Sequence, residues 1–413
     1  MKIAIVGSGI AGNTLAWHLH KSHDISVFEA ESHIGGHTHT HTIDRFGQQY
    51  QIDTGFIVFN DRTYPNFISM LDKLGIDAQP SHMSFSVRDE ISKLEYNGTT
   101  LNSLFAQRKN LFNLKFLQMI RDILRFNREA PELLQCPHDM VFGEYISQAG
   151  YGKEFIEYYI VPMGSAIWSA DPEQLLRFPA KFFIRFFHNH GMLSVNDRPQ
   201  WRVIKGGSAR YVEKLTADFR QRIRLNCPVR QVRRHATGVT ISTNAGSEEF
   251  DWVFFACHSD QALKMLADAS PQEVEILGSI PYQINDVVLH TDVSLMPRKK
   301  LAWAAWNYHL CADHEDRATL TYNMNILQTL QSPEPFLVTL NRTNKIKPEK
   351  IIKQLQYAHP VFTPAGIAAQ ARHAEISGAN HTCYAGAYWR NGFHEDGMTS
   401  ALAALEHFNN GRQ

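Results

Sequence analysis

The sequence is short of several features that would assign it to a specialised class. Its five cysteines are scattered and contain no C-x-x-C pair, which fits a reducing compartment and argues against a disulfide framework or a zinc site. No apolar run is long enough to cross a bilayer, and there is no internal repeat or low-complexity segment. Lysine plus arginine equals aspartate plus glutamate, 41 each, so no general charge attracts nucleic acid.

What remains is an ordinary globular composition over 413 residues, which is long for a single core and predicts two domains. The chain starts directly with a strand-like run, so we expect no signal peptide and a cytoplasmic location.

The first thirty residues carry the most informative pattern. Residues 3–6 predict a buried strand, residues 7–12 read G-S-G-I-A-G, a helical stretch follows, and residues 25–28 predict a second strand that ends at Glu29. This order predicts a βαβ dinucleotide-binding unit. Gly7 permits the tight turn, Gly9 lets the backbone approach a pyrophosphate, and Gly12 lets the helix pack close to the strand.

The start of that helix, at Ile10 and Ala11, offers free N–H groups and the positive end of the helix dipole to the phosphates. Glu29 can accept hydrogen bonds from the ribose hydroxyls of the adenosine. A carboxylate at this position argues against a 2′-phosphate, so the site disfavours NADP.

A glycine pair, Gly35 and Gly36, lies just beyond the second strand. Here the sequence resembles the flavoprotein superfamily of amine oxidases, phytoene desaturases and protoporphyrinogen oxidases, which carry an acid, a short gap and then a GG(R) motif. His37 stands where arginine is common, which weakens the match to true amine oxidases but not to FAD binding. The resemblance implies that FAD is the cofactor. It places two groups of residues at the FAD: Ala30, Gly35, Gly36, His37 and Thr38 near the pyrophosphate, and Thr54, Gly55, Phe56 and Ile57 beside the flavin ring.

The same resemblance extends to the middle and the end of the chain. It implies that backbone at Val229 meets the adenine and that backbone at Ala256 and Cys257 passes the cofactor. Residues 383–398 resemble the second FAD motif, with Ala387 where an acid is common and Asn391 or Glu395 as its replacement. The resemblance adds further cofactor contacts at Gly386, Gly392, His394, Gly397 and Met398, and it places Tyr388 and Trp389 near the flavin face, where we expect them to contact substrate.

His37, His39 and His41 alternate with threonines, so on a strand they would share one face. Imidazole is a common metal ligand, but three ligands so close on one strand rarely converge on one ion. We therefore predict no metal site, with His37 beside the cofactor and the other two histidines at a polar surface.

These patterns predict an α/β protein with a discontinuous Rossmann-type FAD-binding domain and an α+β substrate domain. The expected FAD-binding segments are 1–75, 201–275 and 371–413. The substrate domain would comprise a helical part, 76–200, and a strand-rich part, 276–370. Within it, residues 160–169 form a plausible pocket wall, and Trp303, Trp306 and Tyr308 could line a pocket or belong to the core.

Two segments, Leu101–Arg128 and Phe178–His190, combine large apolar side chains with cationic ones. Basic amphipathic helices of this kind can lie on an anionic membrane. The alternative is that their apolar faces form the core of the substrate domain, because periodicity does not distinguish core from lipid. The sequence thus leaves open a peripheral contact with the inner face of the membrane.

Together, these features predict an FAD-dependent oxidoreductase that moves hydride between a C–H bond and flavin N5. Residues 160–169 resemble a segment of a bacterial subgroup known only as predicted NAD/FAD-binding proteins, often encoded beside cyclopropane-fatty-acid synthases. This resemblance hints at a fatty-acyl or lipid substrate, and we expect a small molecule of apolar or lipid-like character. Two alternatives stay open: an amine oxidase, and a non-enzymatic flavin-dependent accessory protein of a lipid-modifying system.

Overall fold

The computed structural model describes residues 1–194, 196–313 and 317–411. Within them, five parallel strands form the sheet that carries the N-terminal motif, in the order Ile223–Arg224, Asp24–Phe28, Lys2–Val6, Trp252–Phe255 and Thr382–Tyr384. Its central strands are apolar and buried, as expected for a parallel sheet covered on both faces. Strands from three distant parts of the chain thus join in one Rossmann-type sheet.

The helices Ile10–Leu19 and His394–Asn410 pack together on one face of this sheet. Small residues, including Ala16, Ala401 and Ala404, are buried between them and allow the close approach. The antiparallel sheet Val229–His235, Gly238–Thr243 and Gly246–Phe250 lies alongside. The first and last predicted FAD motifs therefore begin neighbouring helices.

A second large sheet in the described chain has seven strands, in the order Ile351–Pro360, Tyr282–His290, Leu337–Leu340, Thr319–Asn323, Trp306–Leu310, Phe85–Asp89 and Glu95–Asn97. Its pairs are antiparallel, except that Trp306–Leu310 runs parallel to Phe85–Asp89. Two smaller sheets connect it to the rest: Thr40–Arg45 with Gln48–Asp53, and Trp201–Ile204 between Phe59–Asn60 and Ala78–Pro80.

The remaining helices connect these sheets and cover them. The α-helices are Pro65–Leu74, Leu101–Leu104, Leu114–Glu129, Phe142–Gln148, Lys153–Phe155, Val161–Trp168, Pro172–Leu176, Ala180–Asn189, Ala209–Thr216, Ser259–Met265, Pro271–Gly278, Met324–Leu327, Pro364–Gln370 and His373–Ile376, with a π-turn at Ile156–Ile160. In the part of the chain that the structure describes, no helix combines the length and the apolar character needed to cross a bilayer.

The two basic amphipathic segments differ in where they place their apolar side chains. In Ala180–Asn189, Phe183, Ile184, Phe186 and Phe187 are all buried in the helical core, so of the two alternatives for Phe178–His190 the structure supports core packing. The segment Leu101–Arg128, in contrast, leaves several large apolar residues in contact with solvent.

Candidate FAD site

The first glycine turn has the close contacts that its sequence predicts. Gly7 has a φ of +104°, and a Cβ atom on it would lie 2.7 Å from the Ala256 carbonyl oxygen. A Cβ atom on Gly12 would lie 1.9 Å from the Gly7 carbonyl oxygen. A Cβ atom on Gly9 would meet nothing within 4 Å. Gly7 and Gly12 are therefore required by packing, whereas Gly9 faces open space at the start of the helix.

The glycine pair Gly35 and Gly36 folds back onto this turn. The Gly35 N–H donates to the Ser8 carbonyl oxygen at 3.0 Å, and a Cβ atom on Gly36 would lie 3.1 Å from the Gly9 Cα atom. Two loops thus border the same space with glycines, which have no side chain to fill it. A pyrophosphate needs this kind of approach, together with the free N–H groups at the start of Ile10–Leu19.

Glu29 is buried at the end of the second strand, as predicted. Its Oε2 accepts from the Ser8 N–H at 2.8 Å and from the Ser8 hydroxyl at 2.6 Å, and its Oε1 accepts from the Glu31 N–H at 2.9 Å. These bonds hold the carboxylate in place and leave acceptor capacity for a ribose hydroxyl. The Cys227 N–H donates to the Glu29 carbonyl oxygen at 2.8 Å, which brings the chain leading to Val229 to this end of the cleft.

Residues 54–57 lie against residues 37–39. The Phe56 N–H donates to the His37 carbonyl oxygen at 2.7 Å, and the Thr54 N–H donates to that of His39 at 3.1 Å. A Cβ atom on Gly55 would lie 2.2 Å from the His37 carbonyl oxygen. The two segments that the resemblance assigned to the pyrophosphate and to the flavin ring are therefore neighbours.

A buried network joins this region to the C-terminal motif. The Thr38 hydroxyl is 2.7 Å from the Tyr211 hydroxyl, which is 2.6 Å from His394 Nε2, and the His394 ring stacks on Phe56 with centroids 3.7 Å apart. Burial lowers the pKa of His394 to about 3, so its imidazole is neutral at physiological pH. A Cβ atom on Gly397 would lie 2.7 Å from the Ile10 side chain, so the two motif helices touch where they begin.

Histidines also surround His37 at the mouth of this region. The His37 ring lies 5.6 Å from that of His359 and 6.1 Å from that of His258, and 5.1 Å from the Tyr357 ring. Its Nε2 atom is buried and has no hydrogen-bond partner among the described residues. Burial, followed by repulsion from His258, lowers the pKa of His37 to about 4. An unsatisfied imidazole nitrogen beside a glycine-lined space fits a bound cofactor better than an empty interior.

The prediction that His39 and His41 lie at a polar surface is wrong for His41, which is buried and whose Nε2 is 3.0 Å from the Thr54 hydroxyl. His39 is half-buried, with its ring 3.9 Å from that of His33 and 4.1 Å from that of His41. The described residues contain no group of three or more histidines, cysteines and acids placed to hold a metal ion.

The described residues fit FAD. The open space at Gly9 and the facing glycine pair leave room for the pyrophosphate, the held carboxylate of Glu29 can accept from the ribose, and the His37 nitrogen lacks a partner that a cofactor would supply.

Comparison with known proteins agrees with this geometry. The family model described as flavin containing amine oxidoreductase matches residues 10–320. The chain belongs to this family. FAD as the cofactor and membership of the flavin-dependent oxidoreductases are therefore confirmed, as is the resemblance to the amine oxidase superfamily.

Relatives within the family are distant. AofH of Mycobacterium tuberculosis, which carries the provisional name of a flavin-containing monoamine oxidase, is 24% identical over 274 residues, which is 62% of this chain and 56% of AofH. The chain thus spans little more than half the length of the curated relatives it matches.

Solved structures share the fold over nearly the whole chain, which confirms the predicted α/β fold class. A protein from Exiguobacterium sp. 255-15, provisionally named a protoporphyrinogen oxidase, has a TM-score of 0.72 at 15% identity and covers 100% of this chain and 99% of its own. A CLA-producing fatty acid isomerase from P. acnes has 0.70 at 16%, covering 98% of each chain. Cyclohexylamine oxidase from Brevibacterium oxydans has 0.68 at 16%, covering 99% of each.

Glu395 has a different role from the one that the family pattern suggested. Its Oε1 accepts from the Asn66 N–H at 3.0 Å and from the Asn66 side chain at 2.7 Å, and its Oε2 accepts from the Phe67 N–H at 2.9 Å. The carboxylate thus caps the first turn of Pro65–Leu74 instead of replacing the acid that the family places near the ribityl or phosphate oxygens. Asn391 is placed by its carbonyl oxygen, which accepts from Trp168 Nε1 at 3.2 Å.

Tyr388 and Trp389, expected to contact substrate, are nearly inaccessible. Both lie in the core cluster beside the parallel sheet, and the Trp389 ring stacks on His373 with centroids 4.2 Å apart. The structure therefore gives these residues a packing role and corrects the predicted substrate contact.

Several residues of the site were not predicted. The Asp53 carboxylate is buried and accepts from the Ser208 N–H at 3.0 Å and from the Thr40 hydroxyl at 2.5 Å, so it joins the segment before Gly55 to the start of Ala209–Thr216. Burial raises its pKa to about 6. The D-x-G pattern marks Asp53 in the sequence, whereas nothing local marks Tyr211, His258 or His359.

Proposed function

We propose that the protein is an FAD-dependent oxidoreductase that removes a hydride from a C–H bond of an apolar substrate, with a fatty-acyl chain as the preferred class. The proposal includes the predicted cofactor contacts other than Glu395, the division into FAD-binding and substrate domains, and a cytoplasmic location. FAD, when bound, would supply the two-electron acceptor for a substrate that loses a hydride and a proton, with dioxygen or another acceptor as the final oxidant.

The observation that best supports this proposal is that the large apolar cluster of the helical core, which includes Trp168 and Phe186, reaches the C-terminal FAD motif. Trp168 donates its indole N–H to Asn391, and the Phe186 ring stacks on Phe393 with centroids 5.1 Å apart. Phe393 directly precedes the helix that begins at His394. The cluster is built from buried aliphatic and aromatic side chains of the helical part of the chain and of the seven-stranded sheet. An apolar wall next to the flavin end of the site favours an apolar substrate.

The residues around this wall can position substrate and exclude water. Trp306 and Tyr322 are half-buried and pack edge to face, with centroids 5.2 Å apart, on the same cluster. Burial raises the pKa of the Tyr322 hydroxyl well above its usual value. Burial and repulsion from His37 lower the pKa of His359 to about 3. The Tyr322 hydroxyl and the His359 imidazole are thus neutral, so these two groups do not oppose the entry of an acyl chain. The P. acnes protein of the same fold is itself named for a fatty acid substrate.

An amine is the second candidate substrate. The family and AofH carry amine oxidase names, and the aromatic pair Trp306 and Tyr322 could contact an amine through its ring faces.

Anaerobic reduction of the flavin tests the proposal. The FAD-loaded protein is mixed with fatty acids, phospholipids dispersed in neutral detergent, or primary amines, and the flavin absorption band is followed. Bleaching by an acyl compound supports the proposal. Bleaching by amines alone selects the amine oxidase reading and contradicts it. Trp306→Ala should slow reduction by an acyl substrate, whereas Trp303→Ala, whose indole is bonded to the Pro297 carbonyl at 2.7 Å, is the matched control.

A further inference from the structure

We propose that the segment after the strand Glu95–Asn97 is a docking surface for an anionic lipid bilayer. Five large apolar side chains of this segment are exposed: Leu101 by 78%, Leu111 by 46%, Phe112 by 88%, Leu114 by 80% and Leu117 by 38%. We call them the docking surface. Its purpose, delivery of an acyl chain, rests on the proposed function, but its binding to lipid does not.

Hydrogen bonds fix the backbone that carries the docking surface. The Asn113 side chain caps the helix Leu114–Glu129 by accepting from the Lys115 and Phe116 N–H groups at 3.1 and 3.3 Å. The Arg108 guanidinium donates to the Phe105 carbonyl oxygen at 2.8 Å and to the Asn102 side chain at 2.6 Å, which ties the turn at Leu101 to the one at Phe112. Its apolar side chains are therefore held outward by a defined backbone.

The helix Leu114–Glu129 has apolar residues on both of its faces. Phe116, Met119 and Phe126 are buried in the core. The opposite face is the stripe Leu114, Leu117, Arg121, Leu124 and Arg128, whose spacing of three and four residues places all five side chains on one side, and all five are exposed. Leu124 is 55% exposed. A helix face that contacts only solvent usually carries polar residues, whereas this stripe has leucine at three of its five positions.

The charges around the docking surface select its occupant. Lys109, Lys115 and Arg121 are exposed beside it, and Arg121 has no acidic partner among the described residues. Lys115 is 3.4 Å from Glu154, but that lysine is 80% exposed, so the pair is weak. A second copy of the chain would bring these cations against their own kind, whereas anionic headgroups would complement them. Apolar side chains at the tip with cations around them match a bilayer interface.

The position of the docking surface suits an acyl substrate. Phe116, on the buried face of the same helix, lies 5.7 Å from Tyr96 and 5.8 Å from Phe105, measured between ring centroids. These rings belong to the continuous apolar cluster that extends to Phe393 at the C-terminal FAD motif. Leu114 and Leu117 of the docking surface therefore lie on a helix whose opposite face belongs to this cluster.

Vesicle co-sedimentation of the FAD-loaded protein tests the inference. The probes are vesicles of phosphatidylcholine alone and vesicles that also contain phosphatidylglycerol. We expect wild-type protein to sediment with the anionic vesicles and to be released as salt rises. Phe112→Ser with Leu114→Ser should weaken binding by about tenfold or more, since each side chain loses its burial in the interface. Lys115→Glu with Arg121→Glu should abolish the preference for anionic lipid.

The matched control is Val274→Ser with Ile284→Ser, which removes two side chains that are 51% and 56% exposed elsewhere on the molecule. This control should bind vesicles as wild type does. Wild-type protein that stays in the supernatant at low salt overturns the inference, as does an unchanged affinity of the Phe112 and Leu114 variant. A wild-type dimer that this variant converts to monomer, without vesicle binding, would make the surface a subunit interface and also overturn it.

Flavin reduction by detergent-dispersed lipid separates the two proposals. Vesicle binding without reduction by any acyl compound would leave the docking surface standing and reject the proposed function. Reduction in detergent without vesicle binding would do the reverse.

Discussion

The sharpest consequence of the glycine turn is that two glycines only three residues apart should respond in opposite ways to alanine. In Gly9→Ala the new Cβ atom meets no protein atom within 4 Å, and the backbone φ of −69° is one that alanine adopts. We expect the stability of the FAD-free protein to change by no more than about 1 kcal/mol. FAD binding should be lost, because the added methyl group occupies the space that the pyrophosphate needs.

In Gly12→Ala the new Cβ atom would lie 1.9 Å from the Gly7 carbonyl oxygen. Because the neighbour is backbone, the helix must move away from the strand, and we expect a loss of about 3 kcal/mol even without FAD. Denaturant unfolding of the FAD-free proteins measures these changes. Added FAD should stabilise wild type by about 2.7 kcal/mol at a concentration one hundredfold above its Kd, and it should not stabilise Gly9→Ala. Retention of FAD by Gly9→Ala would refute the assignment of the open space to the pyrophosphate.

Three further predictions concern the cap at Glu395, the buried titratable groups and the attachment of FAD. Glu395→Gln should lower the free energy of unfolding by about 1–3 kcal/mol, because it weakens the cap on Pro65–Leu74. The affinity for FAD, measured by fluorescence titration, should stay the same. A loss of FAD affinity without a loss of stability would show that Glu395 contacts the cofactor. The free energy of unfolding, measured from denaturant midpoints, should fall as pH drops from about 6.5 toward 4. Burial lowers the pKa of His37 to about 4 and that of His394 to about 3, so protons bind the unfolded chain first and favour it. Burial raises the pKa of Asp396 to about 7, which has the opposite effect, and a midpoint that rises on acidification would show that such carboxyls outweigh the imidazoles. FAD should be noncovalently bound, since Cys383 is fully buried in the parallel sheet. Acid precipitation of the protein should therefore leave the flavin in the supernatant. Flavin that stays in the pellet for wild type, but not for Cys383→Ser, would disprove this.

Local patterns predicted the parts of the site that depend on neighbouring residues. The turn at Gly7, with a φ of +104°, and the strand ending next to Glu29 are each specified by a few adjacent residues. Their conformations follow from backbone geometry alone, so the sequence pattern was sufficient.

Side-chain partners far apart in the chain could not be predicted in the same way. Glu395 caps a helix 329 residues before it, and Tyr211 bonds to His394 across 183 residues. The amphipathic segments show the same limit, because Leu101–Arg128 and Phe178–His190 have similar patterns but opposite exposure. What covers an apolar face is decided by the rest of the fold, which periodicity does not report.

The most direct test of the account is anaerobic mixing of the FAD-loaded protein with a fatty-acyl substrate series and, in parallel, with amines. The account predicts that acyl compounds bleach the flavin absorption band and that Trp306→Ala slows this bleaching. Rapid bleaching by amines, with no response to any acyl chain, would contradict it.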